Sequence, residues 1–134
     1  MTKNKTFAVI GLGTFGRKVA ETLAEKGVDV VVIDNNAETV EKMKNVVTAA
    51  VLIDSTDEAA LQKAPLEDVD TAIVAIGDKI EASILTTALL RRLGVPYIVS
   101  RAVSDIHEIV LRQVGANEVI NLEKIGRASC RERV

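Results

Sequence analysis

The chain has 134 residues with a formal net charge of −2, 48% hydrophobic residues and 2% aromatic residues. This size suits one domain with a single core, and the acidic balance argues against a nucleic-acid partner, which would favour basic charge and stacking side chains. The single cysteine excludes an internal disulfide and a cysteine metal cage. The apolar runs are too short for membrane insertion, and residues 1–5 leave no room for a signal peptide, so we expect a cytoplasmic protein.

Apolar runs alternate with amphipathic stretches, and their branched aliphatic residues favour buried parallel strands. The predicted strands are 6–10, 29–33, 49–53, 71–76, 97–100 and 118–121. The predicted helices are 15–26, 37–47, a short one opened by 55–58, 79–93, and one between Ser104 and Gly115. Capping boxes place Ser55 and Asp78 before the third and fourth helices, while Ser104 caps the fifth helix and Gly115 ends it.

Strands joined by helical crossovers predict a parallel, doubly wound α/β sheet, because parallel neighbours need long, right-handed connections. The expected strand order is 3-2-1-4-5-6, which is that of a Rossmann-type single domain. We expect residues 1–125 to form this domain. Residues 126–134 lack periodicity and carry three arginines against one glutamate, so we expect a disordered or vector-derived tail.

The most informative segment is Gly-Leu-Gly-Thr-Phe-Gly at residues 11–16, between the first strand and the first helix. In this context the glycines form a dinucleotide-binding fingerprint. Gly11 permits the tight turn, Gly13 lets a pyrophosphate approach the backbone, and Gly16 lets the helix pack close to the strand. Free N–H groups at the helix start, where Thr14 and Phe15 lie, would hold the phosphates. The alternative is that the glycines only form a tight turn.

Asp34 follows the second strand, with Asn35 beside it. A carboxylate there is placed to accept hydrogen bonds from ribose hydroxyls, and it would repel a 2′-phosphate. The sequence therefore favours an adenine nucleotide such as NAD and disfavours NADP. The alternative is that Asp34 only caps the next helix.

Two further segments follow strands at the same edge of the sheet. Asp54, Ser55 and Thr56 come after the third strand, near the expected base end of the cleft, and a ligand contact and a purely capping role are both open. Ile76 and Gly77 end the fourth strand at the switch point where such folds bind ligands. Gly77 could instead be only the bend before a helix.

The fingerprint is common in NAD-dependent oxidoreductases, which also need a substrate pocket and a positioned acid or base. The predicted strands and helices leave no residues for such a pocket. His107, the only histidine, is expected to be a packing or surface residue, and no metal site is expected. The sequence thus favours a nucleotide sensor with no catalytic residues; the alternative is a small NAD-dependent oxidoreductase or its isolated cofactor-binding domain.

Residues 5 to about 125 resemble the N-terminal domain of the RCK/KTN family of regulators of potassium conductance, in particular the soluble subunits of Trk- and Ktr-type potassium uptake systems. The resemblance is carried by residues 7–27, 30–34, 53–61, 72–94 and 114–124. Its more specific motifs are an Asp-x-Thr at 54–56 and a Gly-Ala-Asn-x-Val-Ile run at 115–120.

The resemblance implies a cytoplasmic ring of homodimers docked on a membrane-embedded potassium-translocating subunit, which NAD(H), or ATP and ADP, controls from the cleft. It implies that Asp34 holds the ribose, that Asp54 and Thr56 lie near the base, and that Ile76 and Gly77 line the cleft. In the same way, the basic residue after the fifth strand, Arg101, would face the phosphates. Glu123 would lie near the phosphates at a subunit interface.

The chain departs from the family pattern at Thr14, where Ktr-type members often carry an arginine that meets the terminal phosphate. Leu122 stands where a proline is expected. The helices 79–93 and 104–115 carry more apolar residues than one sheet face needs. We expect these two helices to pair subunits into a dimer; the alternative is that both are buried within a monomer.

Overall fold

The computed structural model describes residues 5–122, in which six strands alternate with five helices. The strands are β1 (Thr6–Ile10), β2 (Asp29–Asp34), β3 (Ala49–Leu52), β4 (Thr71–Val74), β5 (Tyr97–Ala102) and β6 (Glu118–Asn121). The helices are α1 (Thr14–Glu25), α2 (Ala37–Met43), α3 (Glu58–Gln62), α4 (Ile80–Arg92) and α5 (Asp105–Val114). Glu123 and the proposed tail at 126–134 lie outside the described residues.

All six strands are parallel in the order β3-β2-β1-β4-β5-β6, which confirms the predicted fold class and strand order. The central strand β1 pairs on one side with β2, where Ala8 lies opposite Val31, and on the other with β4, where Ala8 lies opposite Ala72. From β1 the chain adds strands first toward one edge of the sheet and then, from β4 on, toward the other. A crevice therefore opens at the carboxyl ends of β1 and β4.

Alternate residues of the central strands enter two separate cores, because successive side chains of a strand point to opposite faces. Val9, Val30 and Val32 pack with residues of α1 and α2 on one face. Ile10 and Ile33 pack on the other face with apolar residues near α3 and on α4. Burial of each such side chain contributes about 1.5–3 kcal/mol to folding, so the sheet is held on both faces.

Two of the predicted caps are wrong. Asp57, and not Ser55, caps α3 by accepting a hydrogen bond from the Ala60 N–H. The reason is that the Ser55 hydroxyl is engaged by Thr86 instead. No side chain caps α4 at its N-cap residue Lys79, so Asp78 does not have the capping role that its position in a capping box predicted.

Asn36 caps α2 by accepting a hydrogen bond from the Thr39 N–H. The alternative role of Asp34 as the cap of that helix is therefore wrong.

The predicted ends of α5 are confirmed. Ser104 caps the helix by accepting from the His107 N–H, and Gly115 ends it with a φ of +126°. Arg91 donates to the Gly115 carbonyl and to the Asn117 side-chain oxygen, which also accepts from the Ile98 N–H at 2.8 Å. The Gly-Ala-Asn run thus joins α4, α5 and β5.

Several predicted boundaries shift. β4 ends at Val74, before Ile76, and α2 ends at Met43, before residue 47. β5 continues to Ala102 because it pairs with β6 as well as with β4, and Arg101 lies within it, opposite Ile120. Arg101 is thus a strand residue and does not follow the strand.

None of the helices between residues 5 and 122 is long and apolar enough to cross a membrane.

His107 is a packing residue, 1% exposed. Its Nδ1 accepts a hydrogen bond from the Val103 N–H at 3.1 Å, so its Nε2 carries the ring proton and donates to the Ser83 hydroxyl at 2.7 Å. Burial lowers the pKa of His107 below its ordinary value. The folded state therefore holds this ring neutral.

Because its pKa is lower in the folded state, His107 makes the free energy of unfolding fall as the pH drops below the ordinary histidine pKa of 6.5. The loss ends once the pH is below the pKa of the folded state. Urea unfolding from about pH 7.5 to about pH 5.5 measures this slope. His107→Gln, which has no titrating ring, should show a flatter profile, and equal slopes for the two proteins would contradict the assignment.

Candidate functional site

A cleft of about 1170 Å³ opens at the carboxyl edge of the sheet, beside the starts of α1 and α4. Most residues that the sequence singled out line it: Gly11, Gly13, Thr14, Phe15, Asp34, Asn35, Asp54, Ser55, Thr56, Ile76, Gly77 and Arg101. Gly16 lies behind this surface, in the first turn of α1. The carboxyl ends of five strands, β1 to β5, and the start of α1 therefore bring the candidate residues together.

The three glycines of the turn meet three different requirements. Gly11 has a φ of +95°, a conformation that other residues rarely adopt. A Cβ on Gly16 would overlap the carbonyl oxygen of Gly11, so only glycine lets α1 approach the turn this closely. A Cβ on Gly13 would meet nothing within 4 Å, because this position faces open space at the cleft.

The start of α1 is open to an anion. Gly13 is its N-cap and provides no side-chain cap, and the first turn carries no acidic residue. The first N–H groups of a helix have no partner within the helix, and they lie at the positive end of its dipole. A phosphate placed against this turn would satisfy both features.

Asp34 faces the glycine turn from the end of β2. Its Oδ2 accepts from the Leu12 N–H at 2.7 Å, and its Oδ1 accepts from the Asn36 N–H at 3.1 Å. Each carboxylate oxygen can accept a further hydrogen bond. The backbone thus orients this carboxylate and leaves it capacity to accept from hydroxyl groups in the cleft.

The Asp-x-Thr motif forms a closed local turn. Asp54 Oδ1 accepts from the Thr56 hydroxyl at 2.6 Å and from the Thr56 N–H at 3.0 Å. These hydrogen bonds, chiefly the one from the hydroxyl, lower the pKa of Asp54, and the charge of Lys79 adds to the effect. Asp54 therefore remains ionised, while the buried Ser55 between the two residues points its hydroxyl to Thr86.

Arg101 extends from β5 to the start of α1. Its guanidinium carbon lies 5.2 Å from the centre of the Phe15 ring, within the range of a cation–π contact. Its Nε is buried and, among the described residues, has no hydrogen-bond partner. A Cβ on Gly77 would collide with this guanidinium, and the φ of Gly77 is not positive. Gly77 therefore leaves the space that the Arg101 guanidinium occupies in this structure.

Five polar residues that line the cleft were not among the predicted site residues: Lys18, Asn36, Thr39, Asp78 and Lys79. Lys18 lies one helical turn after Thr14, so the four-residue spacing could have shown that both share a face. Lys18, Lys79 and Arg101 give the cleft positive charge, and Asp34, Asp54 and Asp78 give it carboxylates. The cleft can thus take a ligand with both phosphates and hydroxyls.

Within residues 5–122, no group of three metal-ligating side chains is present.

Replacing Gly16 with alanine should destabilise the fold, since the new Cβ would overlap the Gly11 carbonyl. Overpacking of this kind costs about 1–3 kcal/mol, whereas helix propensity alone predicts a gain of about 1 kcal/mol. The sign of the change in unfolding free energy, measured in urea, therefore decides between the two effects. Gly13→Ala, whose Cβ meets nothing, is the matched control and should change stability by less than about 1 kcal/mol.

The family model for the TrkA-N domain matches residues 7–122. The chain is 44% identical over 120 residues to the Ktr system potassium uptake protein C of Bacillus subtilis, covering 90% of this chain and 54% of that protein. The chain thus spans about half the length of the curated relatives it matches.

Two solved structures share the fold. The TrkA-N domain of the inner membrane protein ybaL from Escherichia coli superposes with a TM-score of 0.84 at 23% identity, covering 100% of this chain and 99% of that one. The GsuK channel bound to NAD superposes with a TM-score of 0.78 at 18% identity, covering 92% of this chain and 22% of that one.

Proposed function

This chain belongs to the TrkA-N domain family, and on that premise we propose that it is the nucleotide-sensing domain of a potassium-uptake regulator. The observation that carries the proposal is the glycine turn: an uncapped helix start, an open face at Gly13 and the Arg101 guanidinium line one cleft. Phosphates bind at this end, and the ribose lies toward Asp34.

The proposed ligand is an adenine nucleotide, either NAD(H) or ATP and ADP. Asp34 disfavours NADP, because a carboxylate at this position repels a 2′-phosphate. The similarity to the GsuK channel, which was solved with NAD bound, supports a nucleotide of this class. Thr14 supplies no charge to a terminal phosphate, while Lys18 and Lys79 supply it from the walls of the cleft.

We propose that the domain acts by binding and not by catalysis. The lining residues within 5–122 include no histidine, cysteine or tyrosine, and the ring of His107 is engaged by Ser83 and Val103 outside the cleft. Asp54 is held ionised by its bonds to Thr56, which favours a binding role over that of a general acid.

The proposed partners are a second copy of the chain and a membrane-embedded potassium-translocating subunit. The names of the Ktr relatives support the latter. With such a partner, the proposed location of the domain is the cytoplasm, at the inner face of the membrane. The surface of α4 and α5 supports the former, since Leu85, Ile106 and Ile109 are 45%, 70% and 55% exposed. Apolar side chains at this exposure favour a protein interface, and dimers paired here would be the units of a ring.

NAD or ATP should raise the free energy of unfolding of the chain. A ligand at ~100 times its Kd contributes roughly 2.7 kcal/mol. Thermal unfolding with NAD, NADH, ATP, ADP and NADPH measures the effect, and NADPH should give the smallest shift among the dinucleotides. Asp34→Ala should narrow the difference between the shifts with NADPH and NADH, because it removes the negative charge that repels the 2′-phosphate.

Gly13→Val is the control for location, since its side chain would occupy the open space where the pyrophosphate is expected. Its fold should persist in circular dichroism while the shift with nucleotide disappears. A shift retained by Gly13→Val would place the ligand elsewhere, and no shift with any of the five compounds would refute the proposal. Steady hydride transfer to a small substrate would instead favour an oxidoreductase.

Sedimentation at rising concentration should show a dimer that Ile106→Asp weakens, because the change puts a charge into the proposed interface. Val46→Asp is the matched control: Val46 is 44% exposed but lies after α2, away from α4 and α5. A monomer at hundreds of micromolar, with and without nucleotide, or equal weakening by both substitutions, would contradict this interface.

A further inference from the structure

Helix α4 contains three fully buried hydroxyl residues, Ser83, Thr86 and Thr87, each 0% exposed. Buried hydroxyls must be hydrogen-bonded to be tolerated, and apolar residues of similar volume would avoid that requirement. In α4 the three hydroxyls bond to three different parts of the fold. Two of these bonds lie on a path from the cleft to α5.

The first bond joins α4 to the cleft. The Thr86 hydroxyl lies 2.8 Å from the Ser55 hydroxyl, and Ser55 is 8% exposed. Ser55 stands between Asp54 and Thr56, which form a closed turn at the wall of the cleft. Movement of that turn on ligand binding would therefore act directly on Thr86.

The second bond joins α4 to α5. The Ser83 hydroxyl donates to the Ile80 carbonyl at 2.9 Å and accepts from His107 Nε2 at 2.7 Å. The other ring nitrogen of His107 accepts from the Val103 N–H, so the ring is held from both sides. Ser83 and Thr86 are three residues apart, one turn of the same helix.

We propose that Thr86 and Ser83 are positioning residues that connect the nucleotide cleft to α5. A ligand that contacts the Asp54–Thr56 turn shifts the hydrogen bond between Ser55 and Thr86. The helix moves as a unit because its backbone hydrogen bonds make it rigid, and the bond between Ser83 and His107 changes with it. The inference rests on nucleotide binding in the cleft, and it gives that binding a route to the exposed apolar surface of α5.

The single histidine of the chain makes this connection measurable. The ring signals of His107 in NMR spectra have no counterpart elsewhere in the sequence, and they report its bond to Ser83 directly. NAD and ATP, titrated separately to saturation, should shift these signals in the unsubstituted chain. In Thr86→Val the nucleotide should still bind, but most of the shift at His107 should be lost.

Thr87→Val is the matched control, because Thr87 is equally buried on the same helix. Its hydroxyl bonds to the Ser83 carbonyl and to Ser100 of β5, both at 2.8 Å, with no link to the cleft. This variant should keep the ligand-induced shift, and Thr86→Ser, which keeps the hydroxyl, should keep it as well. If Thr86→Val does not fold, Ser83→Ala breaks the path at its other end, at a residue that does not line the cleft, and should also lose most of the ligand-induced shift.

Saturating binding to the unsubstituted chain without a shift at His107 would overturn the inference and leave the proposed function standing. If the ligand-induced shift at His107 is equally large in Thr86→Val and Thr87→Val, the inference is also overturned and the proposed function is again unaffected. Failure of both NAD and ATP to bind the unsubstituted chain would instead reject the proposed function, and this inference with it.

Discussion

The close contact between Gly16 and the carbonyl of Gly11 is the constraint on which the cleft depends. Because neither residue has a Cβ, α1 starts directly against the end of β1, and its uncapped N-terminus faces the crevice between β1 and β4. Asp34 holds the same turn from the other side through the Leu12 N–H. A larger residue at Gly16 would push the helix away and widen the cleft at the start of α1.

The opposite wall depends on polar contacts and not on close packing. Arg101 reaches across β4 to Phe15 because Gly77 leaves the space, and the Asp54–Thr56 turn is tied to α4 through Ser55. Such contacts have direction, since each hydrogen bond fixes a distance and an angle. A wall built this way can change position when a ligand replaces one of its partners, while the apolar cores beneath remain packed.

The sequence was sufficient to predict the strand order, the glycine turn and most of the cleft, because strand periodicity and a glycine fingerprint are local patterns. It failed where a side chain finds a partner distant in sequence. Ser55 has the spacing of a helix cap, but Thr86, thirty-one residues later, takes its hydroxyl. Arg101 was expected after its strand, but it lies within β5, because the pairing of β5 with β6 extends that strand. Lys79 reaches the cleft only through the tertiary placement of α4.

The proposal that this cleft binds an adenine nucleotide is tested most directly by mapping backbone amide NMR shifts during a titration with NAD or ATP. The largest changes should fall at Gly11 to Phe15 and at Asn35 and Thr56, which surround the phosphate, ribose and base positions. Saturable binding whose largest changes fall outside this group of residues, or no binding at millimolar nucleotide, would contradict it.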